Sequence, residues 1–82
     1  MKLTPIIAER IVTAVGVSNL PLHRIAAYCG ITYQTLRNWL RDGEEYQKQL
    51  EEGKIKKSDL NTKQKKKLDL YLRVENARTH VE

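Results

Sequence analysis

Residues 22–41 read LHRIAAYCGITYQTLRNWLR, and the spacing of small and apolar residues in this stretch decides the fold. With Leu22 as the first position, Ala26 is fifth, where two helices that cross closely leave no room for a longer side chain. Gly30 is ninth, where the chain leaves the first helix with positive φ, a conformation that costs glycine little. Ile25, Cys29, Ile31, Leu36 and Trp39 supply the apolar positions of the inward face of two helices joined by a sharp turn. The seven constraints are met together and predict a helix-turn-helix unit, whose second helix enters the major groove of DNA.

Outward from this unit, the pattern predicts an all-α chain. Thr4 and Pro5 form an N-cap and first helical position, and Ile6, Ile7, Ile11, Val12 and Val15 give an apolar stripe, so a first helix is expected over residues 5–15, stopping near Gly16. Residues 16–21 have turn composition, with Pro21 placed to open a helix over 22–29. Thr32 caps a third helix, expected over 33–42 and ending at Gly43. A short acidic helix follows over 44–52 and ends at Gly53. Seven lysines then fall between positions 54 and 67 against the single acid Asp59. The last helix starts at Asn61 or Thr62, with Leu68, Tyr71, Leu72 and Val74 as its buried side. That face either closes onto the first three helices or meets another subunit. No glycine or proline closes it before Glu82, which predicts a frayed end or a natural chain that continues. The expected organisation is a DNA-binding unit over 1–53, a basic linker over 54–61, and a C-terminal helix over 62–82 that is a candidate start of an oligomerisation region.

Eighty-two residues allow one modest core and leave little for a catalytic cleft. Fifteen Lys and Arg against ten Asp and Glu give a formal charge of +5, a field that attracts polyanions. Cys29 is the only cysteine, so no internal disulfide forms, and a reducing cytoplasm is the expected compartment. No apolar run is long enough for a membrane span. His23 and His80 lack partners at metal-ligand spacing, and no P-loop or nucleophile–base arrangement is present. Neither catalysis nor a cofactor nor a metal is therefore expected.

On the third helix, Thr32, Tyr33, Gln34, Thr35, Arg37, Asn38 and Arg41 lie outside the apolar set. Amides bond bidentately to adenine and arginine to guanine, so Arg37 and Asn38 are expected to set base choice, with Gln34 assisting. Arg41, Tyr33 and the helix N-terminus, with the hydroxyls of Thr32 and Thr35, are expected to position phosphates, together with Lys63, Lys65, Lys66 and Lys67. Trp39 sits at a core position and is expected to pack rather than stack on bases. The acidic residues 44–52 are expected to face away from DNA or toward a protein neighbour.

The run IAAYCGITYQTLRNWLRDGEEY, a lysine- and glutamate-rich insert, and LDLYLRVENARTHVE together resemble the N-terminal DNA-binding domain of small terminase subunits of tailed phages. The resemblance covers residues 20–82 and is most specific in GITYQTLRNWLRDGE and YLRVENAR. It implies a homeodomain-like helix-turn-helix bundle with a C-terminal helix. Residues 32–41 would recognise a packaging site on double-stranded viral DNA in the host bacterial cytoplasm. Residues 68–82 would begin the region that assembles subunits, and further parts of the protein would engage the large terminase subunit. The same unit serves transcriptional regulators and the targeting domains of transposases and recombinases, and a protein-interaction helical domain without DNA binding is the alternative of another class.

Overall fold

The Thr4 hydroxyl accepts a hydrogen bond from the Ile7 amide at 3.2 Å and starts α1 (Pro5–Val17) with proline in the first turn. The computed structural model describes residues 3–17 and 20–79, the last by its backbone alone. It contains three further α-helices, α2 (Leu22–Tyr28), α3 (Tyr33–Glu51) and α4 (Thr62–Thr79), with a 3-10 turn at Lys57–Asp59. No strand occurs among the described residues, so the chain is all-α. The expected turn at Ser18 and Asn19, His80 and the end of the last helix lie outside the described residues.

The core is one cluster drawn from all four helices. Ile11, Ile25, Ala26, Leu36, Leu70 and Val74 are almost fully buried, joined by Cys29, Ile31 and Trp39. Ala26 has no exposed surface, as its place at the helix crossing requires. Gly30 has φ 75°, and the Ile31 amide then bonds the Ala26 carbonyl at 3.0 Å, closing the turn into α3. Burial pushes the Cys29 thiol up from its usual range, with Arg10 partly offsetting it.

Three sequence expectations are corrected. The helix expected to end at Gly43 and the acidic helix over 44–52 are one helix, α3. Gly43 is buried inside it because α4 passes there. A Cβ on Gly43 would collide with the Lys67 carbonyl oxygen and lie 2.5 Å from the Tyr71 Cβ. The glycine therefore serves close helix contact. On α4, Leu72 is 42% exposed instead of buried, and Leu70 takes the core position between α1 and α3. Finally, α1 runs one residue past Gly16, whose missing side chain faces Ala77.

α4 starts where Asn61 and Gln64 cap each other. The Gln64 amide donates to Asn61 Oδ1 at 2.8 Å and the Asn61 amide to Gln64 Oε1 at 2.9 Å, which satisfies two backbone donors at once. Of the two places open to its apolar face, α4 takes the one on its own chain. Leu70 and Val74 enter the main core, while Leu68 is buried apart from it. The contact of Gly43 with Lys67 and Tyr71 lies about as far from the end of α3 as from the start of α4, so the two helices run antiparallel. Glu9 with Arg73, and Gly16 with Ala77, align α4 in the direction of α1.

Candidate nucleic-acid interface

α3 opens on a turn that frees its first side chains. Thr32 has extended backbone, and its hydroxyl accepts from the Thr35 amide at 3.1 Å and lies 2.8 Å from the Thr35 hydroxyl. Both hydroxyls are thus engaged in capping, and reaching a phosphate would require them to exchange that bond. With Leu36 and Trp39 turned into the core, helical periodicity sends Gln34, Arg37, Asn38 and Arg41 to the opposite side. Gln34, Arg37 and Arg41 are exposed and Asn38 half-buried.

These polar groups are linked. Gln34 Nε2 donates to Asn38 Oδ1 at 3.3 Å, and the Arg41 guanidinium donates to the same oxygen at 3.3 Å. Asn38 is held from both sides through Oδ1. Arg37 makes no ion pair among the described residues. The face can therefore present two guanidinium groups and two amides in one arc, the donor and acceptor types that read base edges.

Tyr33 is 44% exposed at the head of this arc. The His23 ring of α2 stands edge-on to it, with centroids 6.3 Å apart. His23 thus stands beside the candidate face, a place that its sequence context did not assign to it. Its signal was positional, since it precedes the buried Ile25 and Ala26 on the outer side of α2. Trp39 is 6% exposed and belongs to the core. Tyr28 points to another surface, between α1 and α2.

The four lysines do not converge on this face. Lys67 donates to Asp42 Oδ2 at 2.9 Å in a half-buried pair, which ties α4 to α3. Lys63, Lys65 and Lys66 are exposed, and Lys66 lies near Leu3, Pro5 and Glu9 at the start of α1. Because α3 and α4 are antiparallel, this is the end of the bundle farthest from Gln34, about 20 Å along the helix axes at 1.5 Å per residue. The acidic half of α3 lies on the α4 side. Burial first, then the carboxylates of Glu75, Glu44 and Glu51, push the Tyr71 hydroxyl up.

Among the described residues no three acidic, His or Cys side chains form a metal-binding group. No helix of the described residues is long and apolar enough to cross a membrane. No family model, curated protein or solved structure matches the chain.

Proposed function

We propose that this chain is a sequence-specific reader of double-stranded DNA, with the first two turns of α3 in the major groove. The observation that carries the reading is the arc of Gln34, Arg37, Asn38 and Arg41, in which Gln34 and Arg41 are tied to Asn38 Oδ1 and Arg37 stands exposed beside them, on a helix that a short glycine turn sets against α2. In this reading Arg37 and Asn38 select bases, Gln34 steadies Asn38, and Arg41, Tyr33, Thr32, Thr35 and the helix N-terminus meet the backbone. The sequence resemblance makes the DNA a viral packaging substrate in a bacterial cytoplasm. It also makes the whole protein a homeodomain-like, self-assembling partner of a large terminase subunit.

The test is fluorescence anisotropy with a site selected from random duplexes. Arg37→Ala is expected to cost about 1–3 kcal/mol on that site and to relax discrimination at one base position. Equal affinity of variant and parent would remove Arg37 from the interface. A single module of this kind buries only about 600–1,000 Å² on DNA, so modest affinity is expected for the isolated chain.

The exposed lysines call for a different result. Replacing Lys63, Lys65 and Lys66 together by alanine should weaken all duplexes alike and flatten the salt dependence by about one unit of slope for each phosphate no longer neutralised. This holds only for duplexes long enough to reach the far end of the bundle. A salt slope unchanged on a long duplex would show that these lysines are solvated charge. Lys67 is left intact because its partner is Asp42.

A further inference from the structure

α1 holds only two charged residues in thirteen, and they are adjacent, Glu9 and Arg10. A helix so apolar around its circumference is ordinarily covered on every side, yet the fold covers one side only. Ala8, Ile11, Ala14 and Val15 are buried, whereas Ile6 is 68% and Val17 79% exposed, with Tyr28 of α2 at 75%. Tyr28 stands as a ridge between two grooves. One, of about 420 Å³, is lined by Pro5, Ile6, Glu9, Arg10 and Thr13. The other, of about 240 Å³, continues past Thr13 to Val17 and Leu20. The exposed apolar side chains of α1 and α2 thus line two grooves that share Tyr28 and Thr13, the kind of apolar surface that marks an interaction site.

We propose that this face binds a second copy of the same chain, α1 against α1 in antiparallel orientation about a two-fold axis. The face carries both halves of a self-complementary contact, a protruding ring beside a groove and opposite charges at neighbouring positions. A two-fold axis brings each feature onto its complement. Glu9 of each copy meets Arg10 of the other, and Ile6 of each copy lies against Thr13 and Tyr28 of the other. Arg73 bonds Glu9 through Oε2 and leaves Oε1 for the second guanidinium, while Arg10 has no ion pair among the described residues. The apolar face of α4 is not available for this role, since Leu68, Leu70 and Val74 are buried. The contact does not depend on DNA binding and leaves the polar arc of α3 uncovered.

Sedimentation equilibrium over micromolar and higher concentrations tests it. The chain is expected to dimerise, and Tyr28→Glu to be monomeric with an unchanged circular dichroism spectrum and a melting temperature equal to the parent's at concentrations too low for the parent to associate. Glu9→Arg and Arg10→Glu are each expected to be monomeric alone, because like charges then face each other across the axis. Mixed in equal amounts they should dimerise, since two arginines on one chain meet two glutamates on the other. A parent chain that stays monomeric, a Tyr28→Glu variant that still dimerises, or a charge-swapped mixture that stays monomeric would each overturn the proposal.

Discussion

Replacing Trp39 by alanine is expected to lower the folding free energy by about 3–5 kcal/mol, the range for emptying an aromatic core position. Trp39 is 6% exposed in the cluster that joins all four helices, so removing its indole leaves a cavity in the core. A domain of this length has about 4–12 kcal/mol of stability in all. The variant should therefore sit near its unfolding midpoint in mild urea, read by circular dichroism. Tyr33→Ala is the control. Its ring is nearly half exposed, and the loss should stay below about 1 kcal/mol. A Trp39→Ala chain that unfolds in urea like the parent would show that the indole is not packed.

Gly43→Ala should destabilise the chain, although intrinsic helix propensity predicts a gain of about 1 kcal/mol for the same change. The sign decides between two physical accounts. An exposed mid-helix glycine would gain from the methyl group. Here the added carbon meets the backbone of Lys67, and α4 must move away from α3 to admit it. Overpacking of this kind costs about 1–3 kcal/mol, or on the order of 10 °C in melting temperature for a domain of this size. It should also loosen the Asp42–Lys67 pair, which depends on the same close approach. A rise in melting temperature would refute the close-packing role.

The fold was legible where the physics is local. Ala26, Gly30 and the apolar positions around them each answer a constraint set within a few residues, so the turn between α2 and α3 could be read directly. The Thr4, Thr32 and Asn61 starts were legible for the same reason. The end of α3 was not. Gly43 carries the local signature of a helix stop, and only the passage of α4 overrides it. On α4, Leu68, Leu70 and Leu72 alternate along a lysine-rich helix. No sequence period decides which of them faces inward until α1 and α3 are in place. The polar arc of α3 was legible because it is the complement of Leu36 and Trp39. The separation of Lys63, Lys65 and Lys66 from that arc follows from the antiparallel return of α4, a long-range fact. His23 was missed because its neighbour Tyr33 belongs to another helix.

One unbroken helix carries the polar arc at one end and the α4 contact at Gly43 farther along. The two are therefore indexed to each other like teeth cut on a single shaft. An extra residue inserted between Arg41 and Gly43 would turn the arc by about 100° relative to the α4 contact, whereas extra residues in the α3–α4 connection would leave the alignment unchanged. Leu36 and Trp39 decide which side chains of α3 face outward, and Gly43, which cannot carry a side chain, fixes where α4 lies relative to them.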